Sequence, residues 1–264
     1  MTGKWDAGMA TPEHTPLGRG YEQFYGYYQH ANSYWSKGMG IESTGEVDIC
    51  LNKLTDLSIE NTTYRGGELN PAALDSTCDH GGDDTDCYEE HLFKENGLRI
   101  LDQHDPSQPL FYFHSFHLVH TPLDVPQSYV RKAEQRIKPY QFDDSGRRNY
   151  SAMVHYMDDV VGELTQKLKA KGMWEDTVVV FMADNCGPIY KPGSGNNYPL
   201  RGGKYNDFDG GIRTNAFVTG GFVPPASRGT TYSGVVSIAD WYGMFSELAG
   251  VDPTDRMAEE ANKW

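Results

Sequence analysis

Two groups of polar residues flank a glycine-rich loop in the second half of the chain. Asp184 and Asn185 directly follow the apolar run Thr177–Ala183. A carboxylate beside an amide oxygen suits a hard divalent cation, because Ca²⁺ and Mg²⁺ bind oxygen donors. Beyond the loop, Arg201 and Lys204 stand among glycines, where they offer positive charge to an anion. The pattern predicts a metal site beside an anion site, although an Asp-Asn pair can also merely cap a turn after a strand.

Four sequence blocks resemble those of the type I sulfatases, in the arylsulfatase branch that includes N-acetylgalactosamine-4-sulfatase. They follow the family's order along the chain: Gly3 to Tyr27, Pro109 to Pro126, Tyr150 to Gly187, and Asn196 to Arg213. The resemblance implies an α/β fold like that of alkaline phosphatase, with a mixed, mostly parallel sheet flanked by helices. It also implies a sulfuric ester hydrolase that acts on sulfate esters of a sugar or aryl substrate.

The family's nucleophile motif does not occur in these 264 residues. Family members carry Cys-x-Pro-Ser-Arg or Ser-x-Pro-x-Arg, whose first residue becomes formylglycine, together with an acidic pair for the metal. None of the four cysteines begins such a motif: Cys50, Cys78, Cys87 and Cys186. We therefore expect residues 1–264 to be the later part of a single sulfatase domain, with the formylglycine upstream. The alternative is an inactive sulfatase-like remnant or a protein that binds sulfated ligands.

The resemblance assigns roles to five residues that would otherwise be ordinary surface or structural residues. His120, in a Val-His-Thr-Pro motif, matches the histidine that contacts sulfate and protonates the leaving oxygen, and histidine suits proton transfer near neutral pH. Lys4 and Lys204 match the lysines that hold the sulfate oxygens and offset developing charge. Asp184 and Asn185 match the metal ligands, with Ca²⁺ expected and Mg²⁺ possible.

Asp6 and Cys186 depart from the family pattern. Asp6 stands where the family has the histidine of Gly-Lys-Trp-His, and its carboxylate would repel a sulfate although it could serve as a base. Cys186 replaces the glycine that usually follows Asp-Asn, so its side chain could crowd the metal loop. These departures predict impaired or altered catalysis. A phosphohydrolase of the wider alkaline-phosphatase-like superfamily is a third interpretation, which the sulfatase-like blocks disfavour.

His114 and His117 lie close to His120 along the chain. They match no family ligand, and we interpret them as structural or rim residues. A zinc site built from the three histidines is a less favoured alternative, because they lie on and just after a predicted strand without a further ligand cluster. We expect Lys4, His120, Lys204 and the Asp-Asn pair to converge on one cleft, since catalytic groups gather from separate loops on a rigid scaffold.

The composition is that of an acidic globular protein. The formal net charge is −14 at pH 7, and such a surface repels nucleic acid and anionic membranes. No apolar run approaches the roughly 20 residues of a membrane helix. We therefore expect no nucleic acid partner and no membrane span, and the resemblance to type I sulfatases implies a small-molecule or carbohydrate sulfate ester as the partner. To bind despite this net negative charge, a sulfate ester would need a local positive pocket.

Export is implied by the family more than by the chain. Asn61-Thr-Thr and Asn149-Tyr-Ser are acceptor triplets for N-glycosylation, and the family is largely secreted or lysosomal, so a glycoprotein of such a compartment is expected. The first residues lack the basic and apolar regions of a signal peptide. Cys78 and Cys87 could close a small disulfide, and the alternative is free thiols in a reducing compartment.

Helix and strand patterns alternate through the chain after residue 88. We predict helices at Glu89–Gln103, Tyr150–Lys171 and Ile238–Ala249, and buried strands at Leu110–Phe116 and Thr177–Ala183. The alternation is typical of an α/β domain. Both strands should lie in one largely parallel sheet, covered by the helix at 150–171.

The first 86 residues carry weaker patterns. For residues 1–40 we predict loops and short helices over a site. For residues 41–82 we predict an insertion of small strands and turns. The acidic stretch Asp79–Asp86 indicates a solvated loop, since it lacks the ligand spacing of an EF-hand calcium loop.

Overall fold

The computed structural model describes residues 1–30, 32–35, 38–39, 54–55, 58–61, 68–69, 83, 86–137 and 144–254. The chain divides into two compact units, Met1–Val223 and Pro224–Trp264. All the candidate site residues belong to the first unit. The acidic stretch Asp79–Asp86, expected as a solvated loop, falls largely outside the described residues, and Cys78, a candidate disulfide partner of Cys87, lies outside them.

A five-stranded mixed sheet lies in the first unit. Its order is β6 (Glu68–Leu69), β5 (Ser58–Asn61), β2 (Gln23–Tyr27), β1 (Thr2–Lys4) and β7 (His114–Ser115). Strand β1 runs parallel to both β2 and β7, whereas β5 is antiparallel to β2 and to β6. A separate antiparallel pair joins β3 (Gly38–Met39) to β4 (Leu54–Thr55). The small strands expected within 41–82 are therefore present where that segment is described.

The expectation of loops and short helices over residues 1–40 is wrong for β1 and β2. Strand β1 is only three residues long and both its faces are covered, so it shows no alternating pattern. Gly3 makes its central position possible. This residue has a φ of +96°, and a Cβ there would overlap the Ser115 carbonyl of the neighbouring strand. The strand is thus specified by close backbone packing, which a hydrophobicity pattern does not reveal.

Three helices pack together beside the five-stranded sheet. They are α1 (Glu89–Gln103), α2 (Gln127–Ile137) and α3 (Ser145–Ala170), and α3 contacts both of the others. The predicted bounds of α1 are confirmed. Helix α3 begins five residues earlier than predicted because the Asp144 side chain caps it, accepting from the Gly146 and Arg147 amides at 2.8 and 3.2 Å. Helix α2 was not predicted.

Aromatic side chains dominate the core between these helices and the sheet. Tyr34, Trp35, Tyr88 and Met153 are each no more than 1% exposed. Tyr88 stacks on Tyr34 with ring centroids 5.6 Å apart. Such large rings bury the apolar area that stabilises the fold, and they form the floor beneath the loop that follows β7.

Strand β8 (Val179–Met182) pairs antiparallel with β9 (Ala216–Thr219). The prediction that the strands near 110–116 and 177–183 share one sheet is therefore wrong among the described residues, because β7 belongs to the five-stranded sheet. Strand β8 is also half-buried and not fully buried. Its backbone partner lies beyond the Gly-rich loop, and the stacking of Phe181 on Phe217 at 4.9 Å fixes the pair. The apolar run indicated a strand, but it held no information about which strand would pair with it.

Two short helices complete the described chain. Helix α4 (Asp209–Ile212) follows the Gly-rich loop, and α5 (Asp240–Leu248) lies in the second unit, within the helix predicted at Ile238–Ala249. None of the described helices combines the length and apolar character needed to cross a membrane. The described architecture is α/β, with a mixed sheet flanked by helices, as predicted.

Candidate active site

Strand β1 delivers Lys4 at its carboxyl end. The pairing with β2 continues beyond it, since Trp5 N donates to Tyr27 O at 2.9 Å. The chain then turns at Asp6, which has a φ of +46°. This turn brings the Asp6 carboxylate within 3.4 Å of Lys4 Nζ, with the lysine side chain 18% and the aspartate 47% exposed. The two residues that the sequence predicted as site members are thus an ion pair, and Asp6 offsets part of the charge of Lys4.

The loop after β7 carries His120 and is held from beneath by buried groups. One carboxylate oxygen of Glu90 accepts from the His117 and Leu118 amides at 2.7 and 3.0 Å. The Tyr34 hydroxyl donates to the His117 and His120 carbonyls at 3.1 and 2.9 Å. His120 N in turn donates to His117 O at 3.0 Å. These bonds fix the backbone from which the His120 side chain projects.

His117 and the two glutamates at the start of α1 form a buried polar cluster. His117 Nδ1 lies 3.1 Å from a Glu89 carboxylate oxygen, and its ring stacks on Tyr34 at 4.1 Å. Burial lowers the pKa of His117 to about 3, with a further contribution from Lys4. Burial and the Glu89 charge raise the pKa of Glu90 to about 8. At neutral pH the cluster therefore holds a neutral imidazole and a largely protonated Glu90.

Sequence reasoning assigned His114 and His117 to structural or rim positions, and the structure buries His117 fully and His114 in part. His114 Nδ1 lies 2.9 Å from Thr2 Oγ1 and 2.8 Å from the Tyr112 hydroxyl. Burial lowers the pKa of His114 to about 3. Glu89 and Glu90 were missed, because acidic residues in the first turn of a helix ordinarily sit in water near its positive end.

The protonation state of His120 is set by its burial and by nearby cations. Its Nδ1 donates to Thr121 O at 2.7 Å, which leaves Nε2 as the open ring nitrogen. Burial lowers the pKa of His120 to about 4; the Thr121 carbonyl opposes this change, and the charges of Lys204 and Lys4 add to it. The structure thus places Lys204 and Lys4 within electrostatic range of one half-buried, neutral imidazole.

Asp184 and Asn185 follow β8 and present oxygen atoms of the type that hard cations bind. Asp184 Oδ1 accepts from Asn185 N at 2.7 Å, and Asn185 Nδ2 donates to Cys186 O at 2.8 Å. In the part of the chain that the structure describes, Asp184 Oδ2 and Asn185 Oδ1 have no hydrogen-bond donor. These two oxygens fit Ca²⁺ or Mg²⁺ in kind, but calcium takes six to eight oxygens. Two such oxygens would supply only part of a coordination sphere.

The loop after Asn185 is tied to the segment that carries Lys204. Asn197 Oδ1 accepts from Gly187 N at 3.0 Å, and its amide nitrogen donates to Gly187 O at 2.8 Å and Gly202 O at 3.1 Å. Lys204 N also donates to Gly187 O at 3.3 Å. Asn197 therefore fixes the Asp184–Asn185 pair relative to Lys204. Sequence reasoning missed it, because asparagine in a glycine-rich loop is ordinary turn chemistry.

Cys186 is directed toward the end of α4. Its thiol donates to Arg213 O at 2.8 Å, and its amide donates to Gly211 O at 3.2 Å. Partial burial and the Asp209 charge raise the pKa of the thiol. The side chain that was expected to crowd the metal loop thus engages a carbonyl of the neighbouring segment, and it remains a protonated, free cysteine.

The other cation of the loop, Arg201, packs on an aromatic ring. Its guanidinium carbon lies 3.8 Å from the centroid of the Phe208 ring, a cation–π contact. Arg201 O also accepts from Gly210 N at 2.7 Å. Arg201 therefore links the loop to α4. Lys204 and Lys4 differ from Arg201, because the charges of both reach His120.

Comparison with known proteins identifies relatives of this chain. A family profile described as Sulfatase matches residues 1–251. Arylsulfatase J of Mus musculus is 29% identical over 249 residues, covering 94% of this chain and 36% of that protein. A protein named Sulfatase of Formosa agariphila is 32% identical over 178 residues, covering 62% of this chain and 30% of that protein. The chain thus spans about a third of the length of these curated relatives.

Two solved structures have a similar fold. Ps i-CgsB matches with a TM-score of 0.72 at 24% identity, over 95% of this chain and 50% of that one. The PsFucS1 sulfatase from Pseudoalteromonas sp. matches with a TM-score of 0.69 at 23% identity, over 95% of this chain and 48% of that one. These likenesses confirm the predicted fold class.

Proposed function

The chain belongs to the sulfatase family, and we propose that the protein containing it hydrolyses sulfate esters of a sugar or aryl substrate. The observation that carries the proposal is that the charges of two lysines reach one neutral histidine. Lys4 and Lys204 both depress the pKa of His120, although they are separated by most of the chain. Two cations whose charges reach one imidazole, in a chain of net charge −14, would form a local anion site.

The same electrostatics explains how His120 would act. Without an anion, Lys4 and Lys204 disfavour the imidazolium. A bound sulfate ester offsets both charges, so His120 gains a proton more readily when substrate is present. Its Nδ1–H is held by Thr121 O, and Nε2 is the nitrogen that would deliver a proton to the leaving oxygen. Proton transfer from a positioned group to the leaving oxygen lowers the barrier to ester cleavage.

Asp184 and Asn185 would hold the divalent cation, as Ca²⁺ or as Mg²⁺. Their open oxygens support this assignment. When bound, the cation would polarise the ester and offset charge on the sulfate oxygens. The resemblance of the sequence to type I sulfatases further implies formylglycine as the nucleophile, and no cysteine of these 264 residues stands in its motif.

We also propose that the protein resides in a secreted or lysosomal-type compartment. Cys87 is disulfide-bonded, with its partner outside the described residues, and disulfides persist mainly in oxidising compartments. Cys78 remains the predicted partner. Asn149, the first residue of one glycosylation triplet, lies in α3, and its side-chain Nδ2 donates to Leu123 O at 3.0 Å. Asn61, in the other triplet, is therefore the proposed acceptor. The acidic surface supports the absence of a nucleic acid partner.

The proposal is tested by binding and turnover together. Inorganic sulfate should bind the 264-residue chain, and Lys204→Ala should weaken that binding. The natural polypeptide that contains these residues should release 4-nitrophenol from 4-nitrophenyl sulfate, and chelation of divalent cations should reduce the rate. Sulfate affinity that is unchanged by Lys204→Ala would remove the basis of the proposed site.

A second function, binding of sulfate esters without hydrolysis, is favoured by Asp6. Its carboxylate lies 3.4 Å from Lys4 Nζ, so a negative charge stands beside the proposed sulfate site. For the 264-residue chain we expect binding but no turnover of 4-nitrophenyl sulfate, even with calcium supplied. Turnover above that of a His120→Ala control would show that another nucleophile operates and would exclude the binding-only function.

A further inference from the structure

An exposed pair of tyrosines lies beside Lys204. The rings of Tyr190 and Tyr205 stack with centroids 5.6 Å apart and 18° between their planes. Tyr205 is 83% exposed and Tyr190 is 42% exposed. Partial burial and the Tyr205 hydroxyl raise the pKa of Tyr190 to about 12, so this ring stays a neutral phenol at neutral pH. Large rings are ordinarily covered by protein, and an exposed aromatic surface commonly marks a binding site.

The backbone holds Tyr205 in an unfavourable conformation. Its φ is +77°, a region that bulky side chains rarely adopt and that glycine or asparagine would occupy with less strain. Asn206 N donates to Gly203 O at 3.2 Å and closes the turn around it. Strained residues of this kind cluster at functional sites. The turn thus presents a ring to solvent where a small residue would suit the backbone better.

Positive charge lies directly against this aromatic surface. Lys204 Nζ is 5.5 Å from the centroid of the Tyr205 ring, and the charge of Lys204 also reaches His120. The aromatic surface therefore adjoins Lys204, and the charge of Lys204 reaches His120, the candidate proton donor. A ligand with an anionic group at Lys204 would have its neighbouring ring within reach of Tyr205.

We propose that Tyr190 and Tyr205 form a stacking platform for the sugar ring of a sulfated carbohydrate whose sulfate binds at Lys204. This inference rests on the proposed function and selects the sugar over the aryl substrate. The C–H face of a pyranose carries slight positive charge and stacks on the negative face of an aromatic ring. Its hydroxyls stay in water, which suits an open platform. An aryl group gains more from a pocket that encloses both of its faces.

Binding constants of ring-altering and ring-preserving variants test the platform. The probes are galactose 6-sulfate, inorganic sulfate and 4-nitrophenyl sulfate, titrated into the 264-residue chain. Tyr205→Ala should raise the Kd for galactose 6-sulfate about five- to tenfold and leave that for inorganic sulfate within about twofold. Tyr205→Phe should bind like the unaltered chain, and Tyr190→Ala should weaken sugar binding in the same direction. Tyr198→Ala is the matched control, since Tyr198 lies on the same loop and is 88% exposed.

The outcomes separate the platform from the sulfate site. An unchanged Kd for galactose 6-sulfate in both Tyr205→Ala and Tyr190→Ala, with Lys204→Ala still weakening sulfate, would overturn the platform alone. Equal loss of inorganic sulfate in Tyr205→Ala would assign Tyr205 to the shape of the anion site and would also overturn it. A larger loss for 4-nitrophenyl sulfate than for the sugar would select the aryl substrate. Failure of the unaltered chain to bind any sulfate would remove the proposed function and the platform together.

Discussion

At the scale of single residues, His120 is the group whose state depends most directly on the proposed site. Burial and the charges of Lys204 and Lys4 lower its pKa to about 4. Removal of a nearby cation favours the protonated imidazole, so Lys204→Ala should raise the pKa of His120. An NMR titration of the imidazole measures this change. Lys132→Ala, which removes a lysine that lies over the Tyr129 ring, should leave the pKa unaltered, and an equal response to both variants would contradict the arrangement.

Glu90 is a second residue whose role can be measured alone. It is buried, largely protonated at neutral pH, and accepts from two backbone amides of the His120 loop. Glu90→Ala leaves both donors buried without an acceptor and should lower the free energy of unfolding by about 2 to 4 kcal/mol. Glu90→Gln keeps the acceptor and should cost less than about 1 kcal/mol. Urea unfolding at neutral pH measures both, with the exposed Glu95→Ala as control, and equal losses for Gln and Ala would exclude this role.

The role of a residue could be predicted from the sequence only where the residue stands in a motif. Lys4, His120 and Lys204 were predicted as site residues from the blocks around them. Glu90 could not be identified in this way, because its burial depends on the loop after β7, a contact that the sequence does not encode locally. Tyr205 was also missed, since its positive φ and exposure depend on how the turn folds.

At the scale of elements, the pairing of β1 with β7 depends on Gly3. Its φ is +96°, and a Cβ there would overlap the Ser115 carbonyl. Gly3→Ala should lower the free energy of unfolding by about 3 kcal/mol or more and displace Lys4. Gly20→Ala is the matched control, since Gly20 has a φ of +98° but open space around it, and it should cost about 1 to 2 kcal/mol. Equal costs in urea unfolding would show that the close strand approach contributes nothing.

Helices α1 and α3 were more predictable than the strands for a physical reason. The periodic apolar faces of α1 and α3 are local features, and their positions followed from the sequence apart from the capped start of α3. Strand pairing joins residues far apart in the chain. The partners of β8 and β7 therefore could not be predicted from their own residues, and the three-residue β1 had no pattern to detect.

At the scale of the whole molecule, buried titratable groups set the pH dependence of stability. His114 and His117 have pKa values of about 3 in the folded chain and 6.5 as the reference. The unfolded chain binds more protons between these values, so stability falls as the pH drops from 6.5 toward 3. Glu90 has a pKa of about 8 against a reference of 4.5. Here the folded chain binds more protons, so stability falls as the pH rises from 4.5 to 8.

Because the two histidines and Glu90 affect stability in opposite directions as the pH changes, substitution of Glu90 should alter only the alkaline side of the pH profile of stability. The unaltered chain should lose stability between pH 6.5 and 8, and Glu90→Gln should reduce that loss while keeping the acid-side loss. Urea unfolding at a series of pH values measures both limbs. An unchanged alkaline limb in Glu90→Gln would show that Glu90 is ionised in the folded chain at neutral pH.

The most direct test of the shared anion site is the pKa of His120 with and without inorganic sulfate. A sulfate held by Lys4 and Lys204 offsets their charges and stabilises the imidazolium, so saturating sulfate should raise this pKa in the unaltered chain. Lys4→Ala and Lys204→Ala should each reduce the increase, and Lys132→Ala should leave it unaltered. A His120 pKa that does not respond to sulfate would contradict the proposal that these three residues form one sulfate site.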